Sequence, residues 1–232
     1  MKNDNMSVSE RELYEYLREA VPEVVISHSS LRDQMALSAT KSLYEFKFTG
    51  VKDLPNVMLA QTDLFLITGM KLGIVIEDAT KPGTGLVTPY GKYRDHDLVY
   101  KGQSSFQIGQ QVLANAIPNS RFREVKTSQS TYAKFSGTVP PFFDEFEFET
   151  GLYRMLAPVL FNGAQSNVVR INVPVYDGIN YLSYVVSGNT EIPYLVPELH
   201  GLIIPGGVEA AKAVDAAIAK WQAKNAAKRL AA

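Results

Sequence analysis

Imidazole and carboxylate side chains crowd together at one place in this chain of 232 residues, the segment Arg94-Asp95-His96-Asp97. Both groups are metal ligands, and a histidine beside a carboxylate can pass protons, so the segment could carry a metal site or acid–base chemistry. Neighbouring residues of a strand point to opposite sides, however, and the preceding Tyr90-Gly91 is typical of a loop. We therefore predict a solvated surface loop in which the three reactive side chains are dispensable.

The other two histidines, His28 and His200, lie far apart in the sequence. A metal centre of the cupin type needs two histidines one residue apart, a glutamate shortly after them and a third histidine on a later strand, and this pattern is absent. His28 belongs to a serine-rich segment and Gly201 follows His200, so we predict structural or exposed roles for both. The sequence predicts no catalytic residue, no metal ligand and no cofactor, and we expect the protein not to be an enzyme.

An acidic strand is predicted over Phe143–Phe148, where phenylalanines alternate with carboxylates. Glu145, Glu147 and Glu149 would share one face of this strand and could bind calcium or a basic partner. No oxygen-rich loop of Asp and Asn accompanies them, so we favour an edge strand whose charges prevent pairing with other edges. A contact with another subunit is the second alternative.

Composition excludes some classes of protein and leaves others open. The formal net charge is −1 and the sequence pI is about 6.3, so we expect no general attraction to nucleic acid or to an anionic membrane. The chain has no cysteine, which excludes disulfides and thiolate metal sites. No apolar run approaches the roughly 18–20 residues of a spanning helix, and residues 1–9 lack the apolar core of a secretory signal. We expect a soluble, unprocessed chain.

Helical patterns are confined to the two ends of the chain. Near the start, a capping-box spacing is followed by apolar residues at intervals of three and four, which predicts a helix over Glu10–Ala20 that Pro22 ends. The polar stretch Ser27–Thr40 is ambiguous, and we interpret it as an arm or linker. Residues 1–40 are therefore predicted to form an N-terminal helical arm.

From residue 41 to residue 205 the apolar period changes to two. In Leu43–Thr49 aromatic residues alternate with charged ones, which predicts a half-buried strand. Leu64–Glu77 has apolar residues on both faces and is predicted to be a central strand, bent or bulged at Gly69 and Gly73. Further strands are predicted over Val57–Ala60, Ser104–Ile108, Val112–Ile117, Arg121–Val125, Leu152–Phe161, Val168–Val173, Tyr181–Ser187 and Leu199–Ile204.

Turn residues separate these runs at short intervals. Gly109-Gln110 is predicted to close a hairpin, and Asn162-Gly163 has the signature of a type I′ turn. About a dozen short strands with such spacing are typical of an antiparallel sandwich or barrel. The fold class we predict is mainly β, an antiparallel jelly-roll-like sandwich over residues 41–205.

The last segment, residues 206–232, is predicted to be an amphipathic helix that begins after Pro205-Gly206-Gly207. Its apolar face contains Val208, Ala211, Val214, Ile218 and Trp221, and its other face contains Lys212, Lys220, Lys224, Lys228 and Arg229. The basic face could make a weak contact with nucleic acid or lipid, but a solvated helix face is the interpretation we favour.

Three segments of the chain are similar to segments of phage-derived proteins, namely Leu54–Leu59, Thr62–Met70 and Pro158–Asn167. The order of elements also resembles that of jelly-roll structural proteins of tailless bacteriophages, in which a helical arm precedes a β-sandwich. This resemblance implies a capsid-type subunit of the virion that is assembled in the host cytoplasm from copies of itself, with other virion proteins as further partners. The resemblance carries over no functional residue.

An alternative function belongs to another class, a ligand-binding β-sandwich module of the carbohydrate-binding or adhesin type. Such modules expose aromatic platforms near loop tips, and Tyr90, Tyr93 and Tyr100 could provide one here.

Overall fold

The computed structural model describes residues 8–49, 58–78, 86–88, 94–122, 152–181 and 191–230. The described chain is mainly β, with two antiparallel sheets and one α-helix near each end. The helices are α1 (Val8–Ala20) and α2 (Ala211–Leu230). The strands are β1 (Ser27–Arg32), β2 (Met35–Ala36), β3 (Leu43–Lys47), β4 (Leu64–Asp78), β5 (Leu86–Thr88), β6 (Gln103–Ile108), β7 (Gln111–Pro118), β8 (Tyr153–Asn162), β9 (Asn167–Asn172) and β10 (Glu191–Ile204). Short 3-10 helices cover Arg94–Lys101, Asn119–Phe122 and Gly207–Ala210.

The two sheets are built from strands that are distant in the sequence. In the six-stranded sheet β10 lies between β1 and β4, while β5 and β8 pair with different parts of β4 and β2 pairs with β10. The four-stranded sheet has the order β3, β9, β6, β7. Four of the antiparallel pairs are nested along the chain, since β1 pairs with β10, β3 with β9, β4 with β8 and β6 with β7.

The main hydrophobic core lies between the two sheets. Strand β3 contributes the aromatic side chains Tyr44 and Phe46, and Phe48 follows directly; all three are fully buried, whereas the residues that alternate with them are exposed or half-buried. This confirms the predicted period of two, because successive side chains of a strand point to opposite faces. Burial of each such aromatic side chain stabilises the fold by roughly 1.5–3 kcal/mol.

Strand β4 is the central strand predicted from its apolar residues on both faces. Its pairing with β10 skips Thr68, so Thr68 is an extra residue and the side-chain parity changes there. Phe65, before this bulge, and Met70, after it, both face the core between the sheets. They are five positions apart, so strict alternation would have placed them on opposite faces of the sheet. The predicted bulge at Gly69 is confirmed, while the pairing is regular at Gly73.

A second core lies on the opposite face of the six-stranded sheet, under the two helices. Leu13 and Leu17 of α1 pack there with Val214 and Trp221 of α2, over apolar side chains of β4 and β10. The helix predicted over Glu10–Ala20 is confirmed, and so is the apolar face of the C-terminal helix. None of the helices in the described segments is long and apolar enough to cross a membrane.

The interpretation of Ser27–Thr40 as a linker is wrong. Ser27–Arg32 pairs along its whole length with β10, and Met35–Ala36 pairs with the same strand. A polar sequence can form a strand because the backbone supplies the ladder hydrogen bonds, and in β1 the buried Leu31 anchors one face in the core. The boundary placed at residue 40 therefore cuts through the six-stranded sheet, and α1 is packed on that sheet.

Most of the other predicted strands are observed where the structure describes them. Gly109 and Gln110 form the turn of the β6–β7 hairpin, as predicted. In place of a strand at Val57–Ala60 there is an isolated bridge between Leu59 and Thr49, and Asn162-Gly163 is not a type I′ turn because Gly163 lacks a positive φ. The predicted strand Phe143–Phe148, residues 123–125 of Arg121–Val125 and residues 182–187 of Tyr181–Ser187 lie outside the described residues.

Candidate functional site

The segment that carries Asp95, His96 and Asp97 is a 3-10 helix, and the prediction that it is a solvated loop is wrong. Asp95 is 2% exposed and His96 is fully buried, while Asp97 is exposed. In a 3-10 helix residues three apart lie in one row, so Asp95 aligns with Leu98 and His96 with Val99, and both of these rows are buried.

Asp95 and His96 both bind the segment that follows β9. One carboxylate oxygen of Asp95 accepts a hydrogen bond from the backbone N–H of Asn180 at 2.7 Å, and the other accepts one from the hydroxyl of Tyr176 at 3.2 Å. Nε2 of His96 lies 2.9 Å from the carbonyl oxygen of Tyr181. These contacts fasten two segments of the chain to each other, and they give both residues a structural role.

We call the contacts of Asp95 and His96 with the segment after β9 the clamp. An open cleft of about 410 Å³ lies beside the clamp. Asp95, Asp97, Lys101 and the half-exposed ring of Tyr176 line it. Tyr100, one of the three tyrosines of the predicted aromatic platform, does not contribute to it, because it is buried and its hydroxyl donates to the carbonyl oxygen of Leu72 at 3.2 Å. Tyr90 and Tyr93 lie outside the described residues.

A second group of polar side chains lies between the helices and the six-stranded sheet. We call it the helix-facing polar cluster; its members are Glu10, His28, Thr68, Arg154, Glu198 and His200. They come from α1, β1, β4, β8 and β10, so no sequence motif joins them. The sequence offered only weak signals, a glutamate in the first turn of a helix and two isolated histidines.

Glu10 connects α1 to the sheet. Its carboxylate accepts a hydrogen bond from the hydroxyl of Thr68, and its other oxygen lies 3.4 Å from Nη1 of Arg154. Oγ1 of Thr68 also lies 3.3 Å from the carbonyl oxygen of His200, next to the bulge in β4. The extra residue in β4 thus places a hydroxyl where the buried carboxylate of α1 needs a donor.

The two histidines of the cluster are neighbours on adjacent strands. The ring centroids of His28 and His200 are 6.4 Å apart, and Nε2 of His200 lies 3.0 Å from Oε1 of Glu198. Glu198 in turn lies in register with Arg32 on one side and Lys71 on the other. His200 is buried and His28 half-buried, and the prediction of structural or exposed roles did not foresee that the two rings meet.

The environment shifts the pKa values of two cluster residues. Burial lowers the pKa of His28 from its ordinary value, and His200 acts in the same direction, while the carboxylate of Glu10 opposes the change. The hydrogen bond with His200 lowers the pKa of Glu198, and the charges of Lys71 and Arg32 add to this effect against the opposing influence of burial. In the described residues no group of three or more His, Cys, Asp and Glu is arranged to hold a metal ion.

The predicted basic face of the C-terminal helix is partly paired with α1. Lys212, Lys220 and Lys224 are exposed, and Nζ of Lys224 lies 5.3 Å from the ring centroid of Tyr16. Interaction with the Tyr16 hydroxyl, and with Glu12 and Glu15 of α1, raises the pKa of Lys224. The carboxylates of Glu12 and Glu15 therefore offset part of the positive charge on α2. The side chains of Lys228 and Arg229 lie outside the described part, as do the carboxylates predicted on residues 145–149.

The β6–β7 hairpin presents apolar side chains to solvent. Val112 and Leu113 of β7 are 49% and 41% exposed, and as neighbours in a strand they point to opposite faces. Strand β7 pairs with β6 on one side only, as far as the described strands extend. The pairing is irregular on either side of Phe106, and Ala116 has a positive φ of 56°. Such irregular edges are found where a strand twists away from its sheet.

No protein-family model matches the sequence, and a search of curated proteins found no match to it.

Proposed function

We propose that the protein is a virion structural protein, a capsid-type subunit of a bacteriophage that assembles with copies of itself in the host cytoplasm. The fold that suits this function is a jelly roll, in which eight strands form two four-stranded sheets. Other virion proteins are further partners in this proposal, and the basic side of α2 is the surface where a weak contact with nucleic acid or lipid would occur.

The observation that carries the proposal is the order of the strands. Among the described strands, eight remain without the short β2 and β5. They form the nested pairs first with eighth, second with seventh, third with sixth and fourth with fifth. One sheet then contains the first, eighth, third and sixth of them, and the other contains the second, seventh, fourth and fifth. A long eight-stranded hairpin rolled into a sandwich produces this order. Jelly rolls of this kind occur in viral capsid and lectin domains.

The exposed hairpin supports self-assembly within that fold class. Subunit contacts need apolar side chains that are accessible before assembly and buried after it. Val112 and Leu113 are accessible in this way on the two faces of the β6–β7 hairpin. A fold shared with lectins does not specify function, and the exposed hairpin is the surface feature that leads us to favour an assembling subunit.

Sedimentation velocity of the purified chain at increasing concentration tests the proposal, with electron microscopy of the same samples. We expect oligomers or shell fragments whose fraction rises with concentration. A chain that remains monomeric from micromolar to millimolar concentration, alone and mixed with lysate of phage-infected cells, would contradict a capsid-type function.

The cleft beside Asp95 favours a second candidate, a carbohydrate-binding module. Its exposed Tyr176 ring and the exposed carboxylate of Asp97 are the group types that hold sugars by stacking and by hydrogen bonds. Titration with a panel of oligosaccharides separates the two functions. A monomer that binds one of them, and loses binding in Tyr176→Ala, would place this candidate first.

A further inference from the structure

The pairing of the six-stranded sheet is interrupted at Thr68, where α1 contacts the sheet through Glu10. On one side of β4 the pairing with β10 skips Thr68. On the other side the pairing with β8 passes from Val159 directly to Arg154, so residues 155–158 lie opposite Thr68 alone. An excursion of this kind bends a strand away from its neighbour, and it leaves room between the sheet and the element that covers it.

A cavity of about 20 Å³ lies at this interruption, between the two helices and the sheet. Met155 and Pro158, from the excursion of β8, form part of its apolar lining, and Glu10, Arg154 and Trp221 contribute polar groups. The volume exceeds the roughly 10–15 Å³ that one water molecule requires. It is far below the size of a pocket for an organic ligand.

Trp221 brings a buried hydrogen-bond donor to the cavity. The residue is 6% exposed, and its indole Nε1 has no hydrogen-bond partner in the part of the chain that the structure describes. An indole N–H can only donate. A buried donor without an acceptor destabilises the folded state, and in folded proteins such groups are paired with protein atoms or with ordered water.

We propose that the cavity is a binding site for one water molecule, which accepts the hydrogen bond of the Trp221 indole and donates one to the carboxylate of Glu10. Two carboxylate oxygens offer about four acceptor positions, more than the contacts with Thr68 and Arg154 occupy. The water would therefore connect α2 to α1, and Glu10 connects α1 to the strands β4 and β8. This site is independent of the proposed function.

The charges around the cavity favour a neutral ligand. Glu10 is 4% exposed and would repel an anion, whereas the guanidinium of Arg154 would repel a cation. A metal ion also has no use for the indole N–H of Trp221, because that group supplies no lone pair. Water can accept from the indole and donate to the carboxylate at the same time, which matches both polar groups.

The test uses the full chain, whose single tryptophan gives a single indole N–H signal in proton NMR spectra. Magnetisation transfer between water and this proton should have the sign of a water molecule that tumbles with the protein. A crystal structure at high resolution should show one water within about 3.2 Å of Nε1 of Trp221 and of a Glu10 oxygen. An indole that shows no such transfer, or that donates directly to a protein oxygen in the crystal, would overturn the proposal.

Two variants separate a bound water from exchange through a neighbouring hydroxyl. Thr68→Val removes the hydroxyl with little change in volume, so the indole signal should keep its contact with water; loss of the contact would identify the hydroxyl as its source and overturn the site. Glu10→Leu removes the acceptor and should abolish the contact, and persistence there would contradict the role of Glu10. If either variant fails to fold, the crystal structure of the wild-type chain decides.

Discussion

Nε2 of His96 lies 2.9 Å from the carbonyl oxygen of Tyr181, and the two rings pack with centroids 6.4 Å apart. A carbonyl oxygen only accepts hydrogen bonds, so Nε2 of His96 is the nitrogen that carries the proton. The contact joins the 3-10 helix after β5 to the segment after β9. His96, which lies in the one segment where imidazole and carboxylates are adjacent in the sequence, thus stabilises the fold through this hydrogen bond.

Replacing Asp95 by alanine should destabilise the protein, because it removes the buried carboxylate that accepts hydrogen bonds from the backbone N–H of Asn180 and the hydroxyl of Tyr176. The expected cost is about 1–3 kcal/mol of unfolding free energy. Asp97→Ala is the matched control, since Asp97 is exposed on the same 3-10 helix and its loss should cost within about 0.5 kcal/mol. Urea unfolding of the two variants measures the difference, and equal midpoints would contradict the clamp.

Tyr181 should make the fold sensitive to alkali. Burial raises the pKa of Tyr181 to about 12, and the charges of Tyr44, Asp95 and Tyr176 act in the same direction. The unfolded chain loses this proton near pH 10, so the contribution to stability is complete below pH 10 and disappears as the pH rises toward 12. Thermal unfolding at increasing pH should show this decline in the wild-type chain.

The variant Tyr181→Phe should lose that alkaline decline. Its stability at neutral pH should be unchanged or slightly higher, since the Tyr181 hydroxyl is buried without a hydrogen-bond partner in the described residues. The pKa of Tyr44 is also raised by burial, which makes Tyr44→Phe the comparison for a general effect of buried phenols. A Tyr181→Phe chain that declines as steeply as the wild type would refute the assignment.

Gly201→Ala should disrupt the pairing of β10 with β4. A Cβ atom at residue 201 would lie 1.9 Å from the carbonyl oxygen of Leu66, which belongs to the backbone and cannot move aside cheaply. Gly206→Ala serves as control: its φ of +67° costs about 1–2 kcal/mol, but no atom lies within 4 Å. Soluble expression and thermal midpoints should be clearly lower for Gly201→Ala, and an inverted order would contradict the register at the bulge.

Charge on the exposed hairpin should prevent self-association without unfolding the chain. In the double variant Val112→Lys and Leu113→Lys, lysines would have to be buried unpaired in any contact through β7, which costs several kcal/mol. Val175→Lys changes a side chain of similar exposure (41%) away from the hairpin and should assemble normally. Sedimentation velocity, with circular dichroism to verify folding, compares them; equal assembly by all three chains would exclude the hairpin as the contact.

Local patterns in the sequence predicted the elements well where one face is apolar. Periods of two or 3.6 residues and the presence of turn residues predicted four features. These are the alternation in β3, the apolar faces of α1 and α2, the burial of both faces of β4, and the turn at Gly109. These features depend on residues within one turn or a few strand positions of each other. Burial then followed the pattern, because side-chain direction is set by the local backbone.

The tertiary structure decided what the local pattern does not contain. Ser27–Arg32 is a strand because its backbone N–H and C=O groups pair with those of β10, which lies far along the chain. This pairing does not depend on particular side chains. The bulge at Thr68 reverses the parity of β4 and turns a hydroxyl toward Glu10. His28 and His200 meet because β1 pairs with β10 in one register. The sequence by itself determined the periods of the strands and helices, whereas the partners of each strand, and hence the polar cluster and the clamp, arose only from long-range pairing.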